Sequence, residues 1–200
     1  IVIIDYGLGN LGSIKNMIKK VGFDSIISSD KDHIRKATKL ILPGVGSFDR
    51  GMIELKKRGL IDVLNEVVQE KQTPILGICL GMQLMTKSSE EGTEKGLGWI
   101  NAEVKYFSFE ENTYKVPHMG WNYINKKKES SFFKPEEKNR FYFVHSYYVD
   151  CNNKEDVLST STYGFEFVSS FKKENIMGIQ CHPEKSHKFG IHFLKQFLIQ

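Results

Sequence analysis

The chain has 200 residues, of which 40% are hydrophobic and 26% charged, with a formal charge of +4. That length suits one compact domain spanning residues 1–200, and the balance argues against a disordered chain. No apolar run reaches the ~18 residues of a membrane helix, and the mild positive charge gives no basis for nucleic-acid binding.

The lysines at positions 15, 19, 20, 31, 36 and 39 are scattered and read as a solvated face. Cys79, Cys151 and Cys181 form an odd, low set without paired spacing. Such usage points to a reducing, cytoplasmic setting in which a cysteine is free for catalysis. His182, His187 and His192 share no helical face and Cys-x-x-Cys is absent, so no metal site is expected.

In chain order, residues 1–5 read as a strand. They have no basic lead into a long apolar segment, so they do not read as a signal peptide. Residues 11–21 place Leu11, Ile14, Met17, Ile18 and Val21 on one helical stripe, and Gly22 stands where a helix would stop. Strands are expected at 24–28, 39–42 and 74–78, and helices at 60–70 and 80–87, with Ser47 as a candidate cap for an intervening helix. Alternating strands and helices imply a parallel sheet covered on both faces. The second half changes character. Residues 99–107, 116–124, 141–149, 157–162 and 167–180 read as strands, the last as a hairpin turning at 173–175. A terminal helix is expected over 187–200. Residues 126–139 are the most polar stretch and read as an exposed loop.

Two motifs carry chemistry. Gly77-Ile78-Cys79-Leu80-Gly81 follows an apolar strand and opens a helix. This is the pattern of a nucleophile elbow with Cys in place of Ser. Small residues two before and two after the cysteine let the chain turn tightly. A helix N-terminus favours a thiolate, which ordinarily forms at a pKa of about 8.5. The Leu80 N–H would face a developing oxyanion. Taken alone, a strand-end cysteine reads first as core packing, and the two glycines only balance that reading. Cys181-His182-Pro183-Glu184 tips it. A thiol mechanism needs an imidazole to move its proton and a carboxylate to orient that imidazole. Cys181 itself reads as the end of a buried strand. Pro43-Gly44-Val45-Gly46 ends the third strand and could offer further backbone donors.

A rival motif is Gly7-Leu8-Gly9-Asn10-Leu11-Gly12, which matches Gly-x-Gly-x-x-Gly, with Asp30 near the place of a ribose-binding acid. It suggests a dinucleotide-binding domain. Asp5-Tyr6 spoils the strand-to-glycine spacing, and this reading leaves Cys79 and His182 unexplained.

Taken together, the chain resembles the class I, triad glutamine amidotransferases, and within them the glutaminase subunits of imidazole glycerol phosphate synthase. The resemblance rests on Asp5-Tyr6-Gly7-Leu8-Gly9-Asn10, the run from Leu42 to Phe48, the run from Gly77 to Gln83, Gly96-Leu97-Gly98, the run from Pro117 to Asn122, the run from Phe143 to Tyr148 and the run from His182 to Ser186. It implies a flavodoxin/Rossmann-like α/β fold: a central, mostly parallel sheet flanked by helices, with added antiparallel strands in the C-terminal half. By resemblance, Cys79 attacks the side-chain amide of L-glutamine, His182 shuttles the proton and Glu184 orients it. Val45, Gly46 and Leu80 border the oxyanion hole. Gln83, Glu91, Ser146 and Tyr147 line the substrate pocket. Asn10, Trp121 and Lys185 face the partner, a (βα)8-barrel cyclase that receives the ammonia in a one-to-one heterodimer. No non-protein cofactor is implied. The Lys-rich 126–139 segment and Met85-Thr86 depart from the family's pattern and leave room for a synthase with another acceptor. An adapter that keeps only a docking surface is the non-enzymatic reading, and the intact Cys79, His182, Glu184 and Gln83 argue against it.

Overall fold

The structure is a computed structural model that describes residues 1–110, 113–135 and 137–200. Its first half alternates as expected: β1 (Val2–Ile4), α1 (Leu11–Lys20), β2 (Ile26–Ser28), α2 (Lys31–Arg35), β3 (Leu40–Leu42), α3 (Phe48–Lys57), α4 (Ile61–Asn65), β4 (Ile75–Ile78) and α5 (Leu80–Leu84). The second half supplies β5 (Ser88–Ser89), β6 (Ala102–Tyr106), β7 (His118–Tyr123), β8 (Asn125–Lys126), β9 (Arg140–His145), β10 (Tyr147–Cys151), β11 (Val157–Tyr163), β12 (Phe165–Lys173), β13 (Ile176–Ile179) and α6 (His187–Ile199).

The main sheet runs β2-β1-β3-β4-β13-β12-β10-β6-β5. Its first five strands are parallel, with Ile78 opposite Ile179 where β4 meets β13. From β13 to β12, β10 and β6 the pairing is antiparallel, with β10 between β12 and β6, and β5 then joins β6 in parallel at the far edge. β7 and β9 form a separate ribbon in which His118 faces His145.

The parallel strands are apolar on both faces because both are covered. Val2, Ile4, Leu40, Leu42 and Ile75 pack toward α3 and α4, among Phe48, Met52, Leu55 and Leu64. The alternating residues Ile3, Ile41, Leu76 and Ile78 pack with Ile14 and Ile18 of α1 and Phe193 and Leu194 of α6. Burying each such side chain stabilises the fold by about 2 kcal/mol relative to leaving it in water. Strands of three or four residues persist for this reason.

Several boundaries differ from the expectations. The 60–70 helix is α only to Asn65 and continues as a π turn over Glu66–Glu70, where Lys71 N–H reaches the Glu66 carbonyl. The 141–149 run is two strands: β9 pairs with β7, while β10 joins the main sheet, and Ser146 is the hinge between them. Nor is the 126–139 segment simply an exposed loop. Phe132 and Phe133 are buried against Phe193, and Asn139 is buried while bonding Lys134 and Glu137 backbone groups. Two adjacent aromatics anchor an otherwise polar stretch. Glu136 of that segment lies outside the described residues.

Candidate active site

Cys79 sits at the step from β4 into α5 with φ 54° and ψ −112°. That is a strained conformation for a residue with a Cβ. Its N–H bonds the Ile179 carbonyl at 2.8 Å, so β13 pins the turn. The flanking glycines are required by contact. A Cβ on Gly77 would lie 2.7 Å from the Gly81 oxygen, and one on Gly81 would overlap the Leu42 carbonyl oxygen.

The register that sets Ile179 beside Ile78 carries the chain on past Cys79 into His182. The His182 N–H bonds the Tyr142 carbonyl at 2.9 Å, and the Ser186 hydroxyl donates to the His182 carbonyl at 2.6 Å. His182 Nδ1 lies 2.8 Å from Glu184 Oε1, with both side chains under 5% exposed. Burial alone would depress the imidazole's pKa. The neighbouring Cys79 and the Glu184 carboxylate outweigh burial and raise it. His182 Nε2 has no aligned hydrogen-bond partner. Cys79 beside the ring and the Glu184 carboxylate behind it together supply the rise.

These groups open into a cavity of about 350 Å3. Cys79, His182, Val45, Gly46, Leu80, Gln83, Glu91, Ser146, Tyr147 and Lys185 all line it, joined by Pro117, Val144 and His145. Glu184 stands behind His182. Asn10 and Trp121 do not line it. Asn10 caps α1 by accepting from the Ser13 N–H at 3.4 Å, and Trp121 is 43% exposed beside Met119 and Tyr123 on β7. A larger cleft of about 450 Å3 around Phe132 and Lys172 contains none of the motif residues.

Several neighbours escaped the sequence reading. Ser47 stands at the α3 cap position without a side-chain cap bond, and the Glu91 carboxylate takes the Phe48 N–H instead, at 2.8 Å. Asp49 accepts from the Thr93 and Glu94 N–H groups at 3.0 and 2.9 Å, holding the loop that carries Glu91. Tyr6, fully buried, donates to the Pro43 carbonyl at 2.6 Å and so ties the Gly-rich strand end to β1. Burial pushes its hydroxyl's pKa up, out of the titrating range. Asp30 accepts from the Asp32 and His33 N–H groups and caps α2. The acid that suggested a ribose site has a local structural job.

The chain matches the family model for class I glutamine amidotransferases over residues 2–200. It belongs to that family. Among its relatives is "Imidazole glycerol phosphate synthase subunit HisH 2" of Methanococcus maripaludis, 58% identical over 205 residues that cover 100% of this chain and 99% of the relative. The protein of the same name from Pseudomonas aeruginosa is 47% identical, covering 99% and 98%. Among solved structures, the PurLQS structure from Thermotoga maritima superposes with a TM-score of 0.77 at 15% identity, covering 99% of this chain and 96% of that one. That likeness supports the fold alone.

In this class I amidotransferase a buried polar chain runs up to the cavity. The Tyr147 carbonyl can only accept, so the His145 Nδ1 bonded to it at 2.7 Å carries the proton. His145 Nε2 then accepts from His118 Nδ1 at 2.9 Å, and His118 Nε2 accepts from Asn122 Nδ2 at 3.2 Å. Burial holds both rings neutral, with pKa lowered to about 4 for His118 and about 3 for His145. In the unfolded chain both titrate near 6.5. The unfolded state therefore binds more protons below that pH, so stability present above about 6.5 is lost as pH falls toward 4 and then 3. His182 acts in the opposite window: its contribution is complete below about 6.5 and fades as pH rises. The melting temperature is expected to drop between pH 7 and pH 5, with a loss approaching about 1.4 kcal/mol per pH unit for each imidazole. Thermal melts in matched ionic strength check this, and a flat profile would rule out a neutral pair.

Among the described residues no helix is long and apolar enough to cross a membrane, and no group of three or more His, Cys, Asp or Glu is placed to hold a metal.

Proposed function

We propose that this chain is the glutaminase subunit of imidazole glycerol phosphate synthase, with Cys79 as nucleophile, His182 as proton shuttle and Glu184 as its orienting carboxylate. The observation that carries the chemistry is the convergence of a strained Cys79 and a Glu184-bonded His182 on one cavity. The full-length identity to HisH subunits supports the choice of synthase.

His182 Nε2 takes the Cys79 thiol proton as the sulfur attacks the side-chain amide carbon of L-glutamine, and the carbonyl electrons move to oxygen. Backbone N–H groups of Leu80 and of the Val45-Gly46 strand end, which line the cavity, would receive that oxyanion. As the tetrahedral adduct collapses, His182 Nε2 gives its proton to the leaving nitrogen. Ammonia departs and a thioester remains. Water then attacks the thioester, His182 takes its proton, and glutamate leaves with the thiol restored. Gln83 commits its amide nitrogen to the Tyr147 carbonyl and Gln180, which leaves its oxygen for the substrate. The Glu91 carboxylate suits the substrate's α-ammonium group, and Ser146 and Tyr147 close the pocket with backbone groups.

Ammonia is consumed by a partner of (βα)8-barrel cyclase type, which yields imidazole glycerol phosphate and an aminoimidazole carboxamide ribotide. The exposed Met119, Trp121 and Tyr123, with Asn10 and Lys185, supply the facing surface. The sheet that runs through both halves of the sequence supports one domain over residues 1–200.

The test measures glutamate release by the chain alone, then with the cyclase subunit and its ribonucleotide substrate. Low release alone, strong stimulation by the pair and matching imidazole glycerol phosphate formation are expected. Release that ignores this cyclase would keep the glutaminase and reassign the acceptor.

A further inference from the structure

One buried polar side chain at the site does more than hold Gln83. Gln180 is fully buried and immediately follows β13. The β4 to β13 register that sets Ile179 beside Ile78 sets Gln180 beside Cys79. Its Nε2 lies 3.6 Å from the Cys79 sulfur, within reach of an N–H donor to sulfur. Its Oε1 accepts from Gln83 Nε2 at 3.0 Å.

The direction of this amide is set by its surroundings. Gln83 Nε2 also donates to the Tyr147 carbonyl at 3.3 Å, and that carbonyl cannot donate. The nitrogen of Gln83 must therefore face both acceptors, so the oxygen of Gln180 faces Gln83. That leaves the Gln180 NH2 group against the sulfur. A flip of either amide would place donor on donor or oxygen on sulfur inside a buried site, leaving polar groups unpaired.

We propose that Gln180 is a further catalytic residue: its side-chain amide donates to the Cys79 sulfur, aims it into the cavity and stabilises its thiolate over its thiol. The proposal rests on Cys79 being the nucleophile. A neutral donor suits this position. It strengthens when the sulfur becomes negative and, unlike a second cation, leaves the charge of His182 as the proton source. The other titratable groups near the sulfur are His182 on the far loop, Tyr6 beyond β1 and Cys181, with Glu184 behind His182 and Glu91 and Lys185 on the cavity wall. His182 is the ionisable group that acts on the sulfur, and Gln180 adds a neutral side-chain donor 3.6 Å from it.

The experiment is iodoacetamide alkylation of the full chain against pH, read by mass on the Cys79 peptide. Cys151 and Cys181 are buried, and burial raises both thiols' pKa, the former to about 12. In Gln180→Met, which keeps the length and loses the donor, the alkylation curve should move about one to two pH units higher. The plateau rate at high pH should be unchanged. Glutamine turnover should fall about 10- to 100-fold, mainly in kcat. An unmoved curve in folded Gln180→Met overturns the proposal, because a packing role would not shift it. A second measurement needs no change at Gln180. The Gln180 side-chain amide proton resonance in the parent chain should shift on Cys79→Ala, and an unchanged resonance also overturns it. Neither readout depends on turnover. Cys79-independent glutamate release would instead sink the nucleophile assignment, and that failure is read separately.

Discussion

Cys79→Ala is expected to lower cyclase-stimulated glutamate release by roughly four to six orders of magnitude. The size follows from what remains. Without the sulfur no thioester forms, and a water molecule must attack a carboxamide directly. The N–H groups at Leu80 and the Val45-Gly46 strand end and the Glu91 carboxylate would still bind and polarise the amide, so a residual rate above that in water is expected. His182→Ala should cost nearly as much, and the double variant little more than either alone, because the two side chains act as one unit. Glu184→Gln should cost less. It keeps a hydrogen-bond partner 2.8 Å from His182 Nδ1 but removes the negative charge that raises the imidazole's pKa. Steady-state glutamate release and single-turnover thioester formation measure these effects. Activity in Cys79→Ala within tenfold of the parent would end the nucleophile assignment.

The second large effect is structural. Gly81→Ala is expected to destabilise the fold by about 3 kcal/mol or more, because the new methyl would overlap the Leu42 carbonyl oxygen. The overlap is with backbone on both sides, where β3 and the first turn of α5 meet, so no side chain can rotate away. Relief requires moving β3 or opening the Cys79 turn, and either displaces the nucleophile. Even a folded Gly81→Ala protein should therefore lose most of its glutaminase turnover. Gly12→Ala is the control. Gly12 is exposed on α1, with nothing within 4 Å of an added Cβ. It should gain up to about 1 kcal/mol from improved helix propensity. Urea denaturation of the two variants beside the parent gives both numbers. Equal midpoints for Gly81→Ala and the parent would show that the elbow has slack that this packing denies.

Features set by neighbours along the chain were legible in the amino-acid order. Short apolar runs beside helical stripes such as Ile14 and Ile18 announced the parallel sheet. Gly77 and Gly81 around Cys79 announced a tight turn, and His182 with Glu184, two residues apart, announced their contact. Such features follow from backbone sterics and from the periods of helix and strand, so local pattern exposes them. Features set by distant partners emerge only in the folded chain. Gln180 meets Cys79 across 101 residues through a strand register that no composition reveals. Glu91 caps α3 from 43 residues away, in place of the adjacent Ser47. Ser146 breaks one apolar run into two strands because β9 pairs with β7 and β10 with β6, two competing ladders with equal local propensity. His118 and His145 look like ordinary polar positions until the ribbon sets them opposite each other and burial makes them neutral. Hydrogen-bond direction, burial and charge belong to the assembled site, because each depends on what water is replaced by, and only the folded chain decides that.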